Sequence, residues 1–203
     1  MTLREIEKTT QDVYERLGPR FDAERPKVLM EEKWLSRFKG MLPRGGSILD
    51  VGCGAAEPIA EYFITNGYDL TGIDFSASML ALAKSRFPDH QWINMDMRAL
   101  SLGQKFDGII AWHSFFHLTQ QDQRATLAHF AKHLNPKGVL LLTVGPEAGE
   151  VGGMVGGEPV YHSSLSPKGY EELLLSHGIE VVDFVPEDDD CDGSTLLLAQ
   201  KIG

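Results

Sequence analysis

Ser47-Ile48-Leu49-Asp50-Val51-Gly52-Cys53-Gly54 is the stretch that decides how this chain folds. Ile48, Leu49 and Val51 form a short apolar run, suited to a strand covered on both faces. Asp50 interrupts that run near the strand's carboxyl end, the side on which open α/β sheets bind ligands. Gly52 and Gly54 then permit backbone angles and close approaches that a Cβ forbids. Ala55-Ala56-Glu57-Pro58 reads as a helix start with proline in its first turn. Strand, bare turn and helix start together make a shape that lays a small ligand against backbone.

Downstream the unit recurs. The helix from Ala55 closes at Asn66-Gly67, and the strand that follows stops at Asp74. Ser76 is placed to cap a helix carrying Met79, Leu80 and Ala83. A third strand from Gln91 stops at Asp96, and Phe106 to Trp112 is a fourth. Thr119 with Asp122 three residues on resembles a capping box, and Asn135-Pro136-Lys137-Gly138 turns the chain into a fifth strand, Val139 to Val144. Strands alternating with helices predict right-handed crossovers and a doubly wound, mainly parallel α/β sheet. Six glycines between Gly145 and Gly157 predict a long loop reaching about Leu165, a lid or a disordered segment. A helix from Ser166-Pro167 and a closing antiparallel hairpin, with a solvated acidic turn over 186–193, complete the pattern.

Upstream, Leu3, Ile6, Thr10, Val13 and Leu17 follow helical spacing until Gly18-Pro19, read as a stop. A second helix is predicted from Pro26 to Lys39. Residues 1–40 are expected to form an N-terminal helical cap, or a layer that only packs, within a single domain spanning 1–203. Net charge is -10, which opposes partners held through phosphates, so neither nucleic acid nor an anionic membrane is expected. Two cysteines without a CxxC, and no apolar leader or long apolar run, predict a cytoplasmic protein.

Asp74 lies 20 positions after Gly54, and Asp96 a further 22 on. A carboxylate at the second strand end suits the two hydroxyls of a ribose. Asp96 can accept from an adenine amino group, with Met79 and Met97 as soft surface for the ring. Either acid also reads as a cap for the turn beside it.

Ile48 to Gly54, followed by Asp74 and Asp96, resembles a class I S-adenosylmethionine-dependent methyltransferase of the small-molecule branch, over about residues 40–200. Leu134 to Val139 before the fifth strand and the closing hairpin share the likeness. The resemblance implies a seven-stranded sheet of order 3-2-1-4-5-7-6, its seventh strand antiparallel. It implies S-adenosylmethionine as cofactor, S-adenosylhomocysteine as product and a small-molecule acceptor. By it, Asp50, Gly52 and Gly54, with Cys53 between them as a small filler, hold the methionine part. Asp74 holds the ribose, Asp96 and Met97 the adenine, and Phe75 lies beside the adenosine. Ala111, Trp112 and His113 line the methyl-donor side, and Tyr14 or Phe21 closes over the cofactor. One departure is Ala56, where many members carry a third glycine.

Methyl transfer needs position and sometimes a base. His113 and His117 follow the fourth strand and are the candidate catalytic groups, although His117 reads rather as a packing or helix-entry residue and His113 as cofactor wall. Phe116, His117, Tyr161 and His162 are the candidate substrate contacts. Two other readings compete: a module that binds the cofactor without transfer, and an NAD-dependent oxidoreductase. The latter is opposed by Glu57, a carboxylate where the third glycine of GxGxxG would meet a pyrophosphate.

Overall fold

The computed structural model describes residues 1–24 and 28–203, without the side chains of Pro19 and Phe21. Helices α1 (Leu3–Glu24) and α2 (Glu32–Gly40) precede strand β1 (Ser47–Val51). There follow α3 (Ile59–Thr65), β2 (Asp69–Asp74), α4 (Ala77–Arg86), β3 (Gln91–Asn94) and β4 (Phe106–Ala111). The second half runs α5 (Gln120–His133), β5 (Leu134–Val144), β6 (Gly149–Val155), β7 (Glu158–Ser164), α6 (Pro167–Ser176), β8 (Ile179–Asp188) and β9 (Ser194–Lys201). Seven strands form one sheet in the order β3-β2-β1-β4-β5-β9-β8, and β6 and β7 pair as a separate ribbon. The first five sheet strands are parallel, and β9 runs antiparallel to both β5 and β8. With the ribbon set aside, this is the order the sequence resemblance implies.

Strand side chains alternate between two cores. Leu49, Val51 and Ile109 face α5 and α6, packing with Leu127, Phe130 and Tyr170. Ile48 and Ile110 face the other way, onto Trp34, Leu35 and Phe38 of α2 and Phe63 of α3. Gly108 makes the second contact possible: a Cβ there would lie 2.6 Å from Phe38 Cζ. Phe38 is fully buried, so its ring has nowhere to retreat.

Several expectations are corrected. The first helix does not stop at Gly18-Pro19 but continues to Glu24. Proline removes the donor that would bond the Glu15 carbonyl, and the Ser78 hydroxyl of α4 donates to that oxygen instead, at 3.2 Å. Gly18 is a packing glycine; a Cβ there would stand 2.8 Å from Met79 Cγ and Sδ. Helix α2 begins at Glu32, while the predicted start at Pro26 lies outside the described residues. Helix α3 begins four residues later than expected, at Ile59, because Ala56 sits at φ 73°, outside helical space. Asn135 to Gly138 belong to β5, where Lys137 at φ 63° absorbs a bulge between Phe106 and Gly108 of the neighbouring strand.

The glycine-rich segment is not a loop. It is the β6–β7 ribbon, turning at Gly156-Gly157, with Gly153 opposite Val160 and Val151 opposite His162. The acidic turn is not simply solvated either. Asp188 is buried and accepts the Trp34 indole N–H at 2.8 Å, while Lys33 reaches Asp190 at 2.8 Å, so the turn docks onto α2. The Trp34 hydrogen bond and the nearby Lys33 hold the Asp188 carboxyl below its ordinary range.

Gly108→Ala is expected to lower the unfolding free energy by about 1–3 kcal/mol, as overpacking against an immobile ring does. Urea titration checks this, with the midpoint falling and the slope unchanged.

Candidate functional site

A cavity of about 590 Å³ opens at the carboxyl ends of the parallel strands, within the range of small-molecule sites. Its floor is backbone. The N–H groups of Gly52 and Cys53 both donate to the Ile73 carbonyl, at 2.8 and 3.1 Å, which ties the turn after β1 to the end of β2. Gly52 (φ 75°) and Gly54 (φ 53°) carry the turn through left-handed space. A Cβ on Gly52 would lie 2.3 Å from Ser114 Cβ, and Ser114 itself donates its hydroxyl to the Val51 carbonyl at 2.6 Å. The loop after β4 is thereby stitched onto the end of β1, and the backbone at Gly52 stays bare.

Asp74 closes the floor. It is buried, and accepts the Gly54 N–H and the Ser76 N–H on separate oxygens, each at 2.8 Å. Burial raises its pKa, with the Glu15 charge adding to the rise, and backbone N–H groups of Ser76, Gly54 and Phe75 offset part of it. Each oxygen keeps a further lone pair for a donor in the cavity. Asp96 sits at the end of β3. Its Oδ1 accepts the Arg98 N–H at 2.9 Å, capping a short 3-10 turn, and its Oδ2 accepts Gln11 Nε2 at 3.3 Å. Partial burial pushes this carboxyl up, but the bonds from Arg98 and Gln11 outweigh it and hold it below its ordinary range. The capping role foreseen for both acids is thus present.

Helix α1 forms the roof, with Glu7, Lys8, Thr10, Gln11 and Tyr14 on the cavity. Glycine-turn residues Cys53 and Gly54 line the wall with Phe75, Met79 and Met97, and Trp112, His113, Phe116, His117 and His162 line the far side. Asp50, Ala111 and Tyr161 do not line it; all are buried. The Phe21 side chain lies outside the described residues. Residues the sequence did not single out also take part. Gln11 reaches Asp96, and Thr143 accepts the His113 N–H at 2.6 Å. Ser194 and Thr195 enter from the far end of the chain, because an antiparallel last strand starts at the edge where parallel strands end. That edge rule was the available signal for them.

The imidazoles are differentiated by their partners. His117 Nδ1 stands 2.8 Å from the Tyr161 carbonyl oxygen, which only accepts, so Nδ1 carries the proton. Nε2 is then the acceptor, and the Tyr14 hydroxyl donates to it at 2.9 Å. Burial lowers the His117 pKa to about 3, with the neighbouring His162 and His113 adding to the fall and the Tyr161 bond opposing it. Burial also raises the Tyr14 pKa, helped by the Asp74 charge, so Tyr14 is a neutral donor. His113 holds φ 49°, a left-handed angle uncommon for a non-glycine residue, and its Nε2 lies 3.0 Å from the Ser194 hydroxyl. Cys53 is buried, and burial with the charges of Asp50 and Asp74 raises its pKa well above the ordinary value, which makes it a filler and not a thiolate.

Residues 48–138 match the family described as "Methyltransferase domain". A curated dTDP-3-amino-3,4,6-trideoxy-alpha-D-glucopyranose N,N-dimethyltransferase of Streptomyces venezuelae is 35% identical over 102 residues, covering 49% of this chain and 43% of that protein. A dTDP-3-amino-3,6-dideoxy-alpha-D-glucopyranose N,N-dimethyltransferase of Streptomyces fradiae is 37% identical over 105 residues, covering 49% and 40%. The matched part therefore spans less than half the length of either curated relative. Among solved structures, SAM-bound CalS10, an amino pentose methyltransferase from Micromonospora echinaspora, superposes with TM-score 0.72 at 22% identity, covering 93% of this chain and 96% of that one. Streptomyces venezuelae DesVI superposes with TM-score 0.72 at 21% identity, covering 95% and 98%. Those likenesses establish the fold. Residues 48–138 thus resemble a methyltransferase domain, and the whole chain has the fold of these solved methyltransferases.

His117 is neutral in the fold, whereas in the unfolded chain it gains a proton below its ordinary pKa of 6.5. Stability is therefore complete above 6.5 and is lost as pH falls towards 3, by about 1.4 kcal/mol per unit. His117→Gln keeps a donor for Tyr161 and an acceptor for Tyr14 but cannot titrate. Urea unfolding between pH 6.5 and 4.5 is expected to show about one proton's less pH dependence in the variant than in the wild type.

Proposed function

We propose that this methyltransferase-fold chain moves a methyl group from S-adenosylmethionine to an amine on a sugar-sized small molecule, in the cytoplasm. The observation that carries this reading is the buried Asp74 carboxylate, fixed by the Gly54 and Ser76 N–H groups on the floor of the cavity. Two ribose hydroxyls would take up its remaining lone pairs and offset the expense of burying it. The cofactor fits other features of the cavity. Gly52 and Gly54 both line the cavity as a close-lying backbone turn, against which its amino-acid end can lie. The Trp112 indole N–H is buried without a hydrogen-bond partner among the described residues, a donor available to a ligand. Glu57 and Asp22 border the same cavity, where carboxylates repel a pyrophosphate but tolerate a sulfonium cation.

Bound there, S-adenosylmethionine supplies an electrophilic methyl group. The chain's residues do the rest by position. Asp74 holds the ribose, Asp96 and Met97 the adenine, and Gly52 to Gly54 the amino-acid end, with Phe75 and Met79 along the nucleoside. Asp50 and Ala111 act from behind the wall, Asp50 in the β1 ladder and Ala111 in the β4 ladder. Helix α1 serves as cap, with Tyr14 over the reacting side. His113, Phe116, His117 and His162 wall the acceptor space, and Tyr161 holds His117 through its carbonyl. None of the four wall side chains carries a fixed charge, which favours an acceptor that enters as a free amine. The two amino-sugar dimethyltransferases among the curated relatives support that acceptor class. Among the described residues no helix is long and apolar enough to cross a membrane.

Isothermal titration with S-adenosylhomocysteine is expected to give saturable heat, weakened about 10- to 100-fold by Asp74→Ala, the loss of a charged hydrogen bond of about 1.5–3 kcal/mol. Asp74→Asn, which keeps one acceptor oxygen, should fall between. Absence of heat with both S-adenosylmethionine and S-adenosylhomocysteine, or an NAD-only thermal shift, overturns the reading.

A further inference from the structure

Three imidazoles border the acceptor side of the cavity, and the sequence names the two nearest β4, His113 and His117, as candidate catalytic groups beside their readings as wall and packing residues. Their hydrogen bonds point elsewhere. His117 has both ring nitrogens engaged, Nδ1 by the Tyr161 carbonyl and Nε2 by the Tyr14 hydroxyl. To take a proton it would have to release Tyr14 and hold a charge among the rings of Tyr14, Phe116 and His162. His113 engages Nε2 with the Ser194 hydroxyl. His162 differs from both. It lines the cavity and is half-buried, and neither ring nitrogen has a hydrogen-bond partner among the described residues.

The ring of His162 is nevertheless held in place. Its centroid lies 4.7 Å from that of Phe116 and 4.9 Å from that of His117. Its other face lies on Gly153 of β6, where a Cβ would come within 2.5 Å of Cε1. Gly153 does not sit in left-handed backbone space, so its bareness serves the imbedded ring and not a turn. Among the groups that titrate, His117 is in ring contact with it, and Tyr14 and His113 lie beyond, next to His117. Burial alone lowers the His162 pKa, so the ring stays neutral, with an open lone pair, at pH 7.

We propose that His162, packed between Phe116, His117 and Gly153 with its ring nitrogens open to the cavity, is the general base that accepts the acceptor's proton during methyl transfer. The inference rests on the methyl-transfer reading above. In the step, a bond forms between the acceptor nitrogen and the methyl carbon. The carbon–sulfur bond breaks with its electron pair going to sulfur. The proton on nitrogen passes to His162 and then to solvent. Tyr14 and His117 are positioning residues here, holding the roof and the tilted ring against which His162 packs.

The test has two arms, each on the full chain with His162→Gln and Gly153→Ala, the latter keeping the imidazole but displacing it. First, nitrogen-detected NMR of the histidine rings is recorded from pH 4.5 to 8. His162 is expected to titrate below its ordinary range with both tautomers present, while His117 stays locked with its proton on Nδ1; Gly153→Ala should shift the His162 signals and leave those of His117 in place. A His162 ring locked in one tautomer and silent across the range overturns the proposal. Second, methyl transfer is followed from labelled S-adenosylmethionine to dTDP-3-amino-3,4,6-trideoxy-alpha-D-glucopyranose, alongside titration with S-adenosylhomocysteine. With cofactor affinity kept within about twofold, both variants are expected to lose kcat by about 10²-fold, typical of a lost general base, with KM little changed and the acidic limb of the pH profile gone in His162→Gln. Wild-type kcat in His162→Gln overturns the role of His162, whereas failure of the wild type to bind S-adenosylhomocysteine overturns the methyl-transfer reading instead.

Discussion

The site depends on one constraint: the backbone after β1 must lie flat against the end of β2. Two N–H groups converge on the Ile73 carbonyl, and a third, from Gly54, reaches the Asp74 carboxylate. Only a residue without a Cβ fits at Gly52, since Ser114 occupies the space a side chain would need. The same hydrogen bonds that satisfy buried backbone therefore orient the acid that faces the cavity. Burial of Asp74 and bareness of the turn are two sides of one arrangement.

The roof is built on the opposite logic, from side chains reaching across. On one flank α1 meets α4: Arg86 holds Asp22 with both guanidinium nitrogens and the Ala55 carbonyl with one of them, and Ser78 donates to the Glu15 carbonyl. On the other flank it meets the β6–β7 ribbon, where the Tyr161 N–H donates to Thr10 Oγ1 at 2.9 Å and Arg16 grips Glu158 through two hydrogen bonds. The exposed Arg16 pair adds little stability, whereas the buried Thr10 bond fixes register. Gln11 and Tyr14, between the flanks, reach down to Asp96 and His117. One helix thus reaches two sides of the cavity at once, Asp96 on one and His117 on the other.

Much of the fold was legible from local chemistry. The apolar run at 48–51, the glycines after it and the acids at 74 and 96 mark strand ends by residue type alone, and Ser76 caps α4 by accepting the Met79 N–H at 3.2 Å, as its position foretold. The ribbon was not legible, because glycines at 149, 152, 153, 156 and 157 erase the alternation by which strands are recognised. Gly153 is bare so that His162 can lie on it, a reason that exists only across the strand pair. Gly18-Pro19 read as a stop for the same cause: the donor that makes the proline tolerable comes from Ser78, sixty-odd residues away.

By itself the sequence determined the alternation of strands and helices, the glycine turn and the acids facing one crevice, since these follow from period, residue type and the side on which parallel strands end, while the strand order came from the family resemblance. The state of each histidine was decided only by the tertiary structure. His113, His117 and His162 are the same side chain, and nothing in their neighbours along the chain sorts them. What sorts them is which lone pairs are already taken, by a tyrosine from α1, a carbonyl from β7 and a serine from β9. Hydrogen-bond partners brought from three distant elements set the proton's place, and no reading of the residues in order can supply that.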